Sequence, residues 1–116
     1  MIKSCGYACH GILFVIRSQR NFRLHVLAGF LVCGAALFFH FSRVEFILLL
    51  LTVCLVLMGE LLNTALEFLL NFVEARMHPT VRVAKDTAAG AVLIAVIGSM
   101  VIGCLLFGPH LLKMVR

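Results

Sequence analysis

The sequence of 116 residues is 63% hydrophobic and 13% charged, with a mean hydropathy of +1.13. This composition excludes a soluble globular protein, and the length limits the chain, residues 1–116, to a single domain. The formal net charge of +5 does not indicate nucleic-acid binding, because the basic residues flank apolar segments and do not interleave with aromatic residues in a solvated patch. We therefore predict an all-α integral membrane protein that binds no nucleic acid.

The first twenty residues, 1–20, predict a helix that lies on the membrane surface. They are too short and too interrupted by charge to cross a bilayer, and no cleavable signal peptide is expected. Lys3, His10 and Arg17 recur every seven residues on one side, and the opposite side is apolar. Such an amphipathic helix places its apolar face in the lipid interface and its basic face toward anionic headgroups.

Three apolar stretches follow, and each is a candidate membrane span because a helix needs about 20 residues to cross roughly 30 Å of hydrocarbon. We predict these spans at residues 24–41, 46–76 and 86–108. The uninterrupted apolar part of the second span, 46–59, covers only about 21 Å at 1.5 Å per residue. Glu60 is therefore expected at the membrane boundary, and the rest of that helix extends into the cytoplasm. A basic connector or helix start over 80–85 precedes the third span, which Pro109 is expected to close.

The basic residues near the span ends are unevenly distributed across the membrane. One side receives Lys3, Arg17, Arg20, Arg23, Arg76, Arg82 and Lys85, whereas the other receives Arg43, Lys113 and Arg116. Cytoplasmic segments carry the excess of Lys and Arg in multi-pass membrane proteins. The bias of seven against three predicts that the amino terminus and residues 60–86 face the cytoplasm.

A polar stripe runs along the second span and its extension. Glu60, Asn63, Glu67, Asn71 and Glu74 are separated by three, four, four and three residues, so they share one face of a helix. The residues between them are almost all apolar. Because ionisable side chains are costly in lipid, the stripe must face protein, water or a bound ion, which makes it the candidate active site.

The chemistry of this segment is typical of phosphoryl transfer at a membrane surface. Carboxylates on one face, an asparagine between them and the Lys85-Asp86 pair are the groups that hold a divalent metal and a polyphosphate. A carboxylate at membrane depth, such as Glu60, can accept the proton of a lipid hydroxyl. The sequence contains no P-loop motif and no protein-kinase glycine loop.

A purely structural interpretation of the same residues stays open. Ion pairs would then join three glutamates to three basic residues, namely Glu60, Glu67 and Glu74 to Arg76, Arg82 and Lys85. This interpretation is favoured for Glu74, which is expected in water, and disfavoured for Glu60 and Glu67, which are expected near lipid. Asn63 is either a ligand or a hydrogen-bonding residue between helices. His25, at one end of the first span, is interpreted as an interfacial polar anchor.

A resemblance to a known family is visible in residues 59–95, GELLNTALEFLLNFVEARMHPTVRVAKDTAAGAVLIA. This segment, with its E-x-x-N-[ST]-A-x-E core and following A-K-D, resembles the signature of the small bacterial diacylglycerol kinase and undecaprenol kinase family. The amino-terminal RSQRNFRLH, residues 17–25, and the Gly6-Tyr7 and Gly11 positions also resemble that family. The similarity extends over nearly the whole chain.

The resemblance implies a homotrimer in the bacterial cytoplasmic (inner) membrane, with three spanning helices and a surface helix per subunit. It further implies transfer of the γ-phosphate of MgATP to a lipid alcohol, with Glu60 as the catalytic proton acceptor. Implied metal contacts are Glu67 and Gln19, and implied lipid-substrate contacts are Asn21, Asn63 and Glu60. Implied ATP contacts are Tyr7, Gln19, Glu67, Arg76, His78, Lys85 and Asp86.

Two positions depart from the family's pattern and lower the expected affinity for metal. Gln19 stands where the family usually has a glutamate that is a second metal ligand, and Asn71 stands where it has an aspartate. Each replacement removes a negative charge that a hard cation favours. Glu74, one further turn along, is a hypothetical substitute for the lost charge, and an unchanged magnesium dependence in Glu74→Gln would contradict that role.

Three questions stay open at the level of sequence. The acceptor is diacylglycerol or undecaprenol, because Arg20-Asn21 and His25 resemble the undecaprenol type whereas Gly6-Tyr7 resembles the diacylglycerol type. A small proton-coupled transporter, in which Glu60 titrates, is a different functional class. A third reading is a catalytically idle relative that has lost its metal site, and nucleotide binding without turnover would identify it.

Overall fold

The computed structural model describes residues 1–73 and 79–115, and these residues form four α-helices. They are α1 (Ile2–Ser18), α2 (Arg20–Phe38), α3 (Arg43–Phe72) and α4 (Pro79–Val115). By length and composition, α2, α3 and α4 are each able to cross a membrane. The predicted all-α class with three apolar spans is confirmed, and the chain has the helices of a multi-pass membrane protein. Predictions that concern Glu74, Arg76 and His78 lie outside the described residues.

α1 and α2 meet at a single residue, Gln19, whose backbone is extended (φ −115°, ψ 111°). Arg23, in the first turn of α2, reaches back to the end of α1. Its Nη1 donates to the carbonyl oxygens of Ile16, at 3.0 Å, and Arg17, at 2.9 Å. The last carbonyls of a helix have no partner within that helix, so the guanidinium supplies one and fixes the junction. α2 therefore begins at Arg20, ahead of the predicted start of the first span.

Local hydrogen bonds close the turn between α2 and α3. His40 has a left-handed backbone (φ 57°), and the N–H of Phe41 donates to the carbonyl of Ala36 at 3.0 Å, as in a Schellman motif. Ser42 then caps α3. Its hydroxyl accepts from the N–H of Glu45 at 3.2 Å, and the Glu45 carboxylate accepts from the N–H of Ser42 at 2.9 Å. This turn joins α2 and α3 as a helical hairpin.

Glu45 also connects α3 to α4, at the end of the bundle remote from Glu60. Its Oε2 lies 2.9 Å from Nε2 of His110. The ring of Phe41 stacks on this histidine with centroids 4.9 Å apart, and Phe107 packs on Phe41 with centroids 4.7 Å apart. The pair is not predicted from the sequence, because 65 residues separate its members and no local periodicity relates them.

α4 continues through Pro109 to Val115, so Pro109 does not end the helix that carries the third span, and the end of the span itself stays a prediction. A proline lacks the N–H of one helical hydrogen bond, and its ring crowds the carbonyl four residues earlier. On either side of Pro109, Phe107 packs on Phe41 and His110 contacts Glu45. At its other end α4 begins at Pro79, where a missing N–H costs nothing, and residues 80–85 form its first turns.

The bundle is held by α3, which packs most extensively against α4 and less extensively against α2. A small buried cluster contains Ala36, Leu49 and Leu106. Gly29 permits the close approach of α2 to α3, because a Cβ there would lie 3.0 Å from Cγ1 of Val53. Most large apolar side chains on the outer faces are exposed, as expected for helices surrounded by lipid or by further copies of the chain.

Candidate active site

The predicted polar stripe lies on one face of α3. Glu60, Asn63 and Glu67 are half-buried, and Asn71 in the last turn is exposed. At 1.5 Å per residue, the stripe from Glu60 to Asn71 is about 16 Å long. α2 approaches it at Glu60, and α4 approaches it at Asn71. The stripe therefore faces other helices at both of its ends.

Glu60 contacts His25, which reaches it from α2. Nε2 of His25 lies 3.1 Å from Oε1 of Glu60, and the side chains are 29% and 12% exposed respectively. One turn along α3, the Thr64 hydroxyl donates to the Glu60 carbonyl at 2.9 Å. The interpretation of His25 as only an interfacial anchor is therefore incomplete. The sequence places His25 and Glu60 at the same membrane boundary, but it does not predict that the two side chains meet.

Asn63 and Glu67 interact one turn apart on α3. Nδ2 of Asn63 donates to Oε1 of Glu67 at 3.3 Å. Side chains four residues apart are neighbours on the surface of a helix, so such a bond is expected. Oδ1 of Asn63 is buried and has no hydrogen-bond partner within the described part of the chain. Buried carbonyl oxygens are normally satisfied, and an exception indicates a role such as ion or ligand binding. This oxygen is therefore available to a ligand beside Glu67.

The donor set at this point fits magnesium. Mg²⁺ favours hard oxygen ligands, takes few of them from protein, and completes its octahedron with phosphates and water. The Glu67 carboxylate and the unpartnered Asn63 oxygen are such ligands. Over residues 1–73 and 79–115, no three His, Cys, Asp or Glu side chains converge on one point. A metal held here would therefore depend on the phosphates of its nucleotide for most of its coordination.

Lys85 of α4 donates a hydrogen bond from Nζ to Oδ1 of Asn71. Its neighbour Asp86 pairs instead with Arg82, one turn earlier, at 3.6 Å in an exposed position. Lys85 is thereby placed at one end of the stripe, where its ammonium can neutralise phosphate charge. Asn71, the residue that departs from the family's aspartate, contacts this lysine.

The alternative in which the glutamates pair with basic residues is not what the described residues show. Glu60 pairs with His25, and Glu67 with Asn63. Arg82 and Lys85 have other partners, namely Asp86 and Asn71. The corresponding question for Glu74 and Arg76 lies outside the described residues. For Glu60 and Glu67, the predicted functional roles stay predictions.

Tyr7, Gln19 and Asn21 lie on the amino-terminal side of the molecule. Tyr7 is 74% exposed on α1, and Asn21 is exposed in the first turn of α2. Phe14 packs on Phe68 of α3 with ring centroids 5.5 Å apart, which places the end of α1 beside the turn that carries Glu67. Among the described residues, no side-chain hydrogen bond joins Tyr7, Gln19 or Asn21 to the stripe. Their predicted roles stay predictions.

These features define a class: a membrane protein with three apolar helices and a polar, phosphate-compatible site on the middle one. Comparison with known proteins identifies the family. The sequence profile of the prokaryotic diacylglycerol kinase family matches residues 6–107. The chain belongs to this family and is a lipid kinase, as the resemblance in its sequence implies.

Individual relatives match over most of the chain. A diacylglycerol kinase of Synechocystis sp. is 43% identical, over 99% of this chain and 67% of its own length. An undecaprenol kinase of Bacillus subtilis is 37% identical, over 94% of this chain and 89% of its own length. A diacylglycerol kinase of Escherichia coli K12 is 30% identical, over 95% of this chain and 90% of its own length. Relatives named for two different lipids are thus similar to this chain.

Proposed function

We propose that this lipid kinase transfers the γ-phosphate of MgATP to the hydroxyl group of diacylglycerol or undecaprenol, at the cytoplasmic face of a bacterial inner membrane. The observation that carries the proposal is the Glu60 carboxylate, which is 12% exposed and is held by His25 between apolar helices. A carboxylate in this position meets an alcohol that arrives through lipid. Beyond Glu60, toward the end of α3, lie the Asn63 oxygen and Glu67. Lys85 of α4 contacts the last residue of the stripe, Asn71.

In the proposed reaction Glu60 is the general base. As the lipid oxygen bonds to the γ-phosphorus, the bond from that phosphorus to the bridging oxygen of ATP breaks, and ADP leaves with the electron pair. The hydroxyl proton moves to the Glu60 carboxylate. Glu67 and Asn63 would hold Mg²⁺, which would supply charge neutralisation to the phosphates, and Lys85 binds phosphate oxygens from the other end of the stripe.

The proposed assembly is a homotrimer with its amino terminus in the cytoplasm and α1 on the membrane surface. The trimer is carried over from the resemblance to the family and the orientation from the charge bias, whereas two observations support covered outer faces and a surface position of α1. The outer faces carry exposed apolar side chains such as Ile94 and Leu105, which lipid or another copy must cover. The basic residues Lys3, His10 and Arg17 of α1 are exposed, as the contact with anionic headgroups requires. In this assembly Tyr7, Gln19, Lys85 and Asp86 contact ATP, and Asn21 contacts the lipid.

The direct test measures phosphate transfer from γ-labelled ATP with magnesium in mixed micelles. Diacylglycerol and undecaprenol are offered in separate reactions, and micelles without either lipid are the control. We expect label in phosphatidic acid or in undecaprenyl phosphate, and the labelled product names the acceptor. A folded protein that labels neither lipid contradicts the proposal, and nucleotide binding without turnover would then identify the idle relative. Because the chain belongs to a lipid kinase family, the proton-coupled transporter is no longer proposed.

Gln19→Glu tests the departure from the family's pattern. A glutamate restores one negative charge at the junction of α1 and α2, so we expect the magnesium concentration for half-maximal transfer to fall by roughly 3- to 10-fold. The measurement is initial rate against free magnesium at saturating ATP and lipid. Gln19→Asn, which stays neutral, is the matched control and should show no such fall. An identical magnesium dependence in wild type and Gln19→Glu would exclude this position as a metal ligand.

A further inference from the structure

His25 and Glu60 are brought together by the way α2 packs on α3. Gly29 lies one turn beyond His25 on the same face of α2, and its missing side chain lets Val53 of α3 approach to 3.0 Å of the Cβ position. Val53 and Glu60 are two turns apart on α3, so they share a face as well. The short imidazole therefore reaches the carboxylate because the backbones are close at Gly29.

The chemistry of this contact is directional. Nε2 of His25 lies 3.1 Å from Oε1 of Glu60, and because an ionised carboxylate only accepts hydrogen bonds, the N–H of Nε2 is the group that can donate to it. The second carboxylate oxygen, Oε2, is then left to receive a proton from substrate. With 12% of its side chain exposed, Glu60 has little water to replace this donor. The orientation of the carboxylate therefore depends on the imidazole.

We propose that His25 is a positioning residue for phosphate transfer, which holds Oε1 of Glu60 so that Oε2 faces the lipid hydroxyl. The inference rests on the proposed function of Glu60 as proton acceptor. His25 acts through Glu60 and makes no contact with ATP in this account. It follows that loss of the imidazole slows the transfer step and leaves the binding of nucleotide unchanged.

A competing role for His25 is contact with the lipid itself. His25 lines a mostly apolar groove of about 580 Å³ between α2, α3 and α4, together with Gly29, Val56 and Met100. A residue that only binds lipid there would change the KM for lipid and leave kcat alone. A positioning residue would change kcat. The two roles are therefore separated by steady-state kinetics.

The test compares His25→Leu with His25→Gln. The leucine keeps an apolar side chain of similar reach and has no donor, whereas the glutamine amide nitrogen takes nearly the place of Nε2 and donates. We expect His25→Leu to lower kcat roughly 10- to 100-fold with the KM for MgATP unchanged, as when the partner that orients a functional group is removed. His25→Gln should recover kcat to within about threefold of wild type.

His110→Leu is the matched control, because it removes the equivalent histidine-glutamate contact at the opposite end of the bundle. Its kcat should stay within about twofold of wild type. If His25→Leu fails to fold, His25→Asn replaces it, because the shorter amide does not reach Oε1. An unaffected kcat in these variants, a glutamine variant no better than leucine, or a change confined to the KM for lipid would each overturn the inference. A wild-type protein that labels neither lipid would instead refute the proposed function.

Discussion

Replacing Glu60 with glutamine is expected to lower kcat for lipid phosphorylation by about 100- to 10,000-fold, the usual range for loss of a positioned general base. Glutamine keeps the size of the side chain and still accepts a hydrogen bond from His25, but its amide cannot take the hydroxyl proton. The measurement is label transfer from ATP to the preferred lipid, with KM for MgATP determined in the same series. KM for MgATP should be nearly unchanged.

The control for Glu60→Gln is Glu45→Gln, on the same helix at the other end of the bundle. Glu45 caps α3 and contacts His110, so its loss affects stability there and is remote from the stripe. Its kcat should remain within about twofold of wild type when both proteins are folded. A Glu60→Gln protein with wild-type kcat would show that another group accepts the proton, and the assignment of Glu60 would be wrong.

Glu67→Gln is expected to reduce kcat/KM for MgATP by at least about 100-fold, which corresponds to ~2.7 kcal/mol of lost transition-state stabilisation. The change removes a negative charge beside the buried, unpartnered oxygen of Asn63, which is the pair that we assign to magnesium. A neutral amide holds a hard dication more weakly than a carboxylate does. A higher magnesium concentration should restore part of the activity, whereas a higher lipid concentration should not.

The decisive measurement for Glu67 is initial rate over a wide range of free magnesium at fixed ATP. A curve displaced to higher magnesium supports the metal assignment, and the Glu45→Gln curve should overlay that of wild type. If Glu67→Gln lowers the rate at every magnesium concentration by one constant factor, Glu67 does not bind the metal. Glu60→Gln, measured alongside, should show a low maximal rate, and its magnesium concentration for half-maximal rate should equal that of wild type.

The helices could be predicted because their signal is local. Apolar length identifies α2, α3 and α4, and the spacing of Glu60, Asn63, Glu67 and Asn71 places them on one face of α3. Helix ends were harder to predict. α2 begins at Arg20, where Arg23 supplies partners to the end of α1, and α4 passes Pro109 without ending.

The contacts between helices in the site could not be predicted, because each joins residues that are distant in sequence. His25 meets Glu60 only because Gly29 lets α2 approach α3, and composition does not reveal that approach. The contact of Lys85 with Asn71 similarly depends on how α4 packs against α3. The Asn63-Glu67 hydrogen bond follows from helical spacing. That Asn63 Oδ1 is left without a partner follows only from packing.

The junction of α1 and α2 has a consequence for where the protein can sit in a bilayer. A bend between helices usually draws on water to hydrate its exposed peptide groups, and such a bend is confined to hydrated depths. Here the guanidinium of Arg23 binds the carbonyls of Ile16 and Arg17 directly. The bend at Gln19 is thus partly independent of hydration. If α1 lies on the membrane surface as proposed, it can follow the headgroups inward or outward with α2 as bilayer thickness changes, without loss of these two hydrogen bonds.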